Sequence, residues 1–192
     1  MGDLAGILEH LEIERVHLVG QSMGGWASLG FALAHPDRTA SLVLADTIGG
    51  IFTPAIRQAF DDYAQLIAMS PPPDRLPLGF HPAVGTYLAE EDLTQSFLYG
   101  QIGGMAAPPS PMVITELLTA TDHTPRLDRL QAPTLFIVGE NDPIFPPDLI
   151  EQAAALIPGC ELSVVADTGH SPYFERPDDW NDIVLRFLRR WG

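Results

Sequence analysis

Leu4, Ile7, Leu8 and Leu11 fall at i, i+3, i+4 and i+7 behind Asp3, a residue suited to an N-cap, so the chain is predicted to open on an amphipathic helix. Residues 16–19, Val-His-Leu-Val, form a short β-rich run that ends at Gly20. After Gly24-Gly25 the segment 26–34 reads as a helix, stopped by His35-Pro36-Asp37. Residues 40–45 are then almost continuously apolar, as expected of a strand covered on both faces of a parallel sheet.

From Gly49 to about Leu130 the pattern changes to helical pieces, expected over 55–69 and 112–120, broken by Pro71-Pro72-Pro73 and Pro108-Pro109-Ser110-Pro111. This stretch reads as an inserted helical cap and not as sheet. Strand character returns at 134–138, a helix covers about 148–156, residues 162–165 give a further strand, and an amphipathic helix from about 178 to 191 closes the chain. Strands alternating with helices predict an α/β fold, a mostly parallel sheet flanked by helices with right-handed crossovers. Residues 1–48 and 131–192 would form the core and 49–130 the cap. Catalytic groups are then expected just past the carboxyl ends of the strands.

Composition narrows the chemistry. The chain has 192 residues, 46% of them hydrophobic, enough for one domain with a real core. A formal net charge of -15 repels phosphate backbones and anionic headgroups, which argues against nucleic-acid and membrane partners. All ten basic residues are arginine, so chemistries that need a titratable lysine amine are excluded. Cys160 is the single cysteine, unable to form an internal disulfide and without the companions a zinc site requires; neither a metal nor an organic cofactor is expected. No stretch approaches the length of a membrane span, and the start at Met1 lacks the basic and apolar regions of a secretory signal, which leads to the expectation of a cytoplasmic protein.

Gly20-Gln21-Ser22-Met23-Gly24 matches the Gly-x-Ser-x-Gly pattern in which a serine sits on a strained strand-to-helix turn and the glycines let neighbouring backbone pass closely. A strand before it and a helix directly after it supply the context this geometry needs. A serine hydroxyl is a weak nucleophile without a base. Of six histidines, His170 alone follows the last predicted strand, within Ala166-Asp167-Thr168-Gly169-His170-Ser171-Pro172, where a loop can hang over the turn. His10, His17, His35, His81 and His123 fit quieter positions. A carboxylate after the strand 134–138 can fix the histidine tautomer, and Asp142 in Gly139-Glu140-Asn141-Asp142-Pro143 is the candidate. Glu140 on the same loop and Asp46 after the strand 40–45 compete with it, Asp46 having a plain alternative as a solvated turn residue.

The order serine, aspartate, histidine, together with His35-Pro36-Asp37-Arg38 before a strand and Gly169-His170-Ser171-Pro172-Tyr173-Phe174-Glu175-Arg176-Pro177 after one, resembles the α/β-hydrolase superfamily across the whole chain. Within it the sequence is most similar to small capped bacterial hydrolases: enol-lactonases, carboxylesterases and carbon–carbon bond hydrolases. The resemblance implies Ser22 as nucleophile, His170 as base, Asp142 as acid, the backbone N–H of Met23 as an oxyanion donor, and a small ester or lactone as substrate. Carbon–carbon bond hydrolysis, cyanohydrin cleavage and a non-catalytic binding role on the same scaffold are the alternatives.

The same resemblance implies strands before the segment 16–19, and a second oxyanion donor after the third of them, that this sequence does not contain. One donor fewer costs about 3 kcal/mol of transition-state stabilisation. The expectation is therefore a chain whose sheet is completed by a preceding segment of a longer hydrolase or by a second copy in a homo-oligomer.

Overall fold

The computed structural model describes residues 2–69, 87–105, 116 and 118–192. Helix α1 (Gly2–His10) leads to strand β1 (Val16–Gln21), helix α2 (Gly24–Ala34) and strand β2 (Thr39–Ala45). Helices α3 (Pro54–Met69), α4 (Tyr87–Glu91) and α5 (Leu93–Gly104) follow. Strand β3 (Thr134–Gly139), helix α6 (Pro147–Ala154), strand β4 (Glu161–Val165), and helices α7 (Pro172–Glu175) and α8 (Pro177–Leu188) complete the order. The expected helix over 112–120 falls largely outside the described residues, as do both proline clusters and His81. Helices α4 and α5 lie within the stretch expected to hold helical pieces, at places where no individual helix was assigned; α5 carries Gly100, Gly103 and Gly104, which weaken its helical signal.

The four strands form one parallel sheet in the order β1-β2-β3-β4. Val43 pairs with Val19 on one side and Leu135 on the other, and Phe136 with Leu162. Every residue of β2 and β3 is buried, which explains their unbroken apolar runs, whereas β4 alternates half-buried and exposed positions before the buried Val165, as a strand at the edge of the described sheet. β1 is the other edge, and its Val19 is 43% exposed.

The period-2 alternation of side chains sorts the core into two layers. Leu42, Leu44, Phe136 and Val138 pack with α2, α6 and Leu8 of α1 on one face. Val43, Ala45, Leu135 and Ile137 pack with Val184 and Phe187 of α8 on the other. The opening helix is a narrower stripe than its periodicity implied, since Leu8 is buried while Ile7 and Leu11 are each more than half exposed. Helix α2 is buried almost all round, from Gly25 to Leu33, so it enters the interior directly after the serine turn. Arg38, at the end of the His35-Pro36-Asp37-Arg38 stretch, donates to the carbonyls of Ile13 and Glu14 and fixes the loop that feeds β1.

Segment 46–62 packs over α2: Ile48, Ile51, Ile56 and Phe60 are buried, and Trp26 of α2 meets both Phe60 and Phe145 at ring-centroid distances of 6.4 and 6.2 Å. His123 pins the chain returning to β3. Its Nε2–H donates to the Trp26 carbonyl at 3.0 Å, its Nδ1 accepts from Arg126, and burial, the largest influence, lowers its pKa. Among the described residues no helix is long and apolar enough to cross a membrane.

The two glycines of the serine turn are not equivalent. A Cβ on Gly20 would lie 2.7 Å from the Gly24 carbonyl oxygen and 2.5 Å from Ser28 Oγ, whereas a Cβ on Gly24 meets nothing within 4 Å. The close approach expected of both glycines therefore belongs to Gly20, because β1 and the start of α2 cross at that residue. Gly20→Ala is expected to destabilise the protein by roughly 1–3 kcal/mol through overpacking. Gly24→Ala, at the first residue of α2, should be neutral or stabilising by up to about 1 kcal/mol. Chemical denaturation midpoints measure the difference, and equal losses in the two variants would contradict this assignment.

Candidate active site

Backbone hydrogen bonds tie the residues just past β1, β2 and β3 to the neighbouring strands. Beyond β1, Ser22 N donates to the Ala45 carbonyl at 2.8 Å; beyond β2, Asp46 N donates to Ile137 at 2.8 Å; beyond β3, Glu140 N donates to Val165 at 2.9 Å. In each case the first residue past one strand bonds to the next strand, and the loops that follow emerge side by side. Ser22 turns there with φ +49°, a left-handed conformation that costs a non-glycine residue on the order of 1–2 kcal/mol. The turn closes with Gly25 N donating to the Ser22 carbonyl, and the chain enters α2.

Ser22 Oγ stands 2.9 Å from His170 Nε2, and His170 Nδ1 stands 2.8 Å from Asp142 Oδ2. A carboxylate only accepts hydrogen bonds, so the imidazole proton resides on Nδ1 and Nε2 is free to accept from the serine hydroxyl. The Asp142 side chain has no solvent exposure, and its second oxygen accepts from Ile144 N at 2.8 Å and Phe145 N at 3.0 Å. The Phe145 ring lies 5.9 Å from the imidazole, centroid to centroid, at a tilt of 47°. His170 is 3% exposed, whereas Ser22 remains half-buried and reachable. The structure thus brings the three sequence candidates into one hydrogen-bonded row.

Met23, the oxyanion candidate, immediately precedes α2 with φ -54° and is 52% exposed. Its N–H belongs to the first turn, where backbone donors have no intrahelical acceptor.

The competing carboxylates separate clearly. Glu140 is exposed and accepts from Asp167 N at 3.1 Å, a loop-bracing contact. Asp46 is fully buried, which corrects its reading as a solvated turn residue. It adopts φ +49°, its Oδ1 accepts from Gly139 N at 3.0 Å, and its Oδ2 is buried with no partner among the described residues. Burial first, and the nearby charge of Asp142 second, raise its pKa well above the ordinary carboxylate range. The residue after a fully apolar strand enters the interior whenever the adjacent loop folds over it, and that loop is invisible in a local reading.

Sequence reading also missed the groups that hold the histidine segment. Gln21 Nε2 donates to the His170 carbonyl at 3.0 Å. Glu175 accepts from both Gly169 N and Ser171 N. Tyr99 of α5 lies 2.7 Å from Ser171 Oγ, with its phenol pushed up to about 12, burial being the largest cause. Gly139 is a glycine because a Cβ there would run into the Gly169 carbonyl, so the end of β3 touches the histidine segment directly. Of the other histidines, His10 is exposed on α1, His17 Nδ1 lies 2.8 Å from Ser41 Oγ, and His35 caps the end of α2. Burial pushes the Cys160 thiol to about 11, which keeps it protonated and unreactive.

Asp46→Asn retains the oxygen that accepts from Gly139 N and tolerates positive φ. Because the pKa of Asp46 is raised in the folded state, its stabilising effect is present at acid pH and is lost as pH rises through the folded value. The Tm of D46N relative to wild type should therefore climb from pH 4 upward and then level off; a difference independent of pH would show that Asp46 titrates normally.

Comparison with known proteins identifies the family. The profile of the alpha/beta hydrolase fold family matches residues 2–177. The 2-hydroxy-6-oxononadienedioate/2-hydroxy-6-oxononatrienedioate hydrolase of Escherichia coli K12 is 32% identical over 97% of this chain, which spans 67% of that enzyme's length. Among solved structures, a thermophilic esterase from Thermogutta terrifontis superposes with a TM-score of 0.73 at 28% identity, covering 98% of this chain and 70% of the esterase. Est816, an N-acyl homoserine lactone degrading enzyme, superposes with a TM-score of 0.70 at 25% identity, covering 97% of this chain and 72% of its own. With its parallel sheet and helical flanks, the chain belongs to the α/β-hydrolase family.

Proposed function

We propose that this protein is a serine hydrolase of small carboxylic esters or lactones. The observation that carries the reading is the unbroken row Ser22 Oγ, His170 Nε2, His170 Nδ1, Asp142 Oδ2, with both links under 3 Å and the serine on a left-handed strand-to-helix turn. The esterase and the lactone-degrading enzyme among its structural neighbours support the acyl chemistry.

In this reading Ser22 Oγ attacks the substrate carbonyl carbon as its proton passes to His170 Nε2. Met23 N–H holds the developing oxyanion. Asp142 steadies the imidazolium through Nδ1–H. The tetrahedral intermediate collapses, the acyl–oxygen bond breaks, and the leaving alkoxide takes the proton from Nε2. Water then repeats the sequence on the acyl-enzyme: His170 accepts its proton, the carboxylic acid leaves, and Ser22 recovers its hydrogen. No step uses a metal or an organic cofactor. Residues 49–130 act as the cap in this scheme, with Ile51, Phe52, Ile56 and Phe60 supplying its buried apolar base.

A second reading rests on the 32% identity to the E. coli hydrolase. A hydroxy-oxo-dienedioate contains ketone and carboxylate groups and no ester, so its hydrolysis breaks a carbon–carbon bond. The same triad serves that chemistry once the substrate ketonises.

Wild type should hydrolyse short-chain p-nitrophenyl esters. Ser22→Ala should lower kcat by at least about 10⁴-fold. A panel that adds lactones and vinylogous 1,5-diketone acids separates the two readings. Ester hydrolysis that survives Ser22→Ala would overturn the first reading, and activity on the diketone acids alone would favour the second.

A further inference from the structure

We infer that Glu175 is a positioning residue for the hydrolysis, clamping the backbone on both sides of His170 so that the imidazole is held between Ser22 and Asp142. This inference rests on the proposed serine-hydrolase reading.

Glu175 is 6% exposed, and its two oxygens are divided between the residues that flank the base. Oε2 accepts from Gly169 N at 2.8 Å and Oε1 accepts from Ser171 N at 3.0 Å. With Gln21 Nε2 donating to the His170 carbonyl, three consecutive residues are tied at the backbone, and the middle one is the base. The clamp closes on itself, because Glu175 N in turn donates to the Ser171 carbonyl at 3.0 Å.

Capping alone does not account for this arrangement. Ser171 precedes the four-residue helix α7, and a side chain returning to its N–H is an ordinary way to satisfy a helix start. That task needs one oxygen, and a neutral glutamine would perform it. The second oxygen of Glu175 reaches outside the helix to Gly169, the residue whose carbonyl lies against Gly139 at the end of β3. Burial is the largest influence on this carboxyl group and raises its pKa. Its electrostatic neighbours are Asp142 and Asp46 from the ends of β3 and β2, Tyr99 from α5, and His170 itself. Of these, only His170 becomes a cation during the reaction, so the negative charge favours the imidazolium while the two hydrogen bonds fix its place.

The test compares wild type with Glu175→Gln and Glu175→Ala. Glutamine keeps the volume and one acceptor but turns an NH2 group toward the other backbone N–H. The clamp predicts a fall in kcat of ~10²-fold with KM nearly unchanged, the cost of a displacement of about 1 Å at the base. It also predicts loss or exchange-broadening of the far-downfield NMR signal of the His170 Nδ1 proton shared with Asp142, in variants whose circular dichroism matches wild type. If Glu175→Ala does not fold, Glu175→Gln carries both measurements. Wild-type kcat together with an intact Nδ1 signal in Glu175→Gln would overturn the inference. The NMR readout does not depend on turnover, so a wild-type protein without esterase activity would count against the proposed function while the clamp is still decided by the signal.

Discussion

Asp142 is a carboxylate with no contact with water, and such a group is tolerated only when its oxygens are fully occupied by donors. The polypeptide supplies three: the backbone N–H groups of Ile144 and Phe145 on one oxygen and His170 Nδ1 on the other. The first two come from the residues that follow Pro143, so the β3 loop folds back on its own carboxylate. The third comes from a segment 28 residues further on. Satisfying Asp142 therefore requires β4 to lie beside β3 and the His170 segment to return over both. Once those conditions hold, the tautomer and direction of the imidazole follow.

The other end of the row is set by strain. Ser22 holds a left-handed backbone that no local preference favours, and the surrounding structure over-determines it. Gly20 lets α2 start against β1, Ser22 N is bonded to Ala45, and the burial of α2 on nearly every side gives the helix no alternative position. Asp46 repeats the same conformation one strand away and ties β2 to Gly139. Two left-handed residues at adjacent strand ends hold the serine and the aspartate loop in fixed relation. The row rests on rigid sheet termini at its serine end, and the His170 segment is held at three consecutive residues by Gln21 and Glu175.

Periodicity and local motifs determined a good deal by themselves. The fully apolar runs at β2 and β3, the strand–serine–helix order, and carboxylate and histidine loops after successive strands specified a parallel α/β fold and named Ser22, Asp142 and His170, because burial on both faces and turn chemistry are written in adjacent residues. Local pattern did not reveal α4 and α5, where glycines and short length blur the helical period, nor the exposure of Ile7 and Leu11 on a helix that looks evenly amphipathic. It also could not place Asp46 in the interior or assign Glu175 to the histidine, since both depend on which loop covers which strand end. Tertiary structure alone decided the distances in the row, the inequality of Gly20 and Gly24, and the clamp on His170. Each is a contact between segments distant in sequence, and the energy that selects it comes from burying and satisfying polar groups together, a quantity that no single stretch of sequence contains.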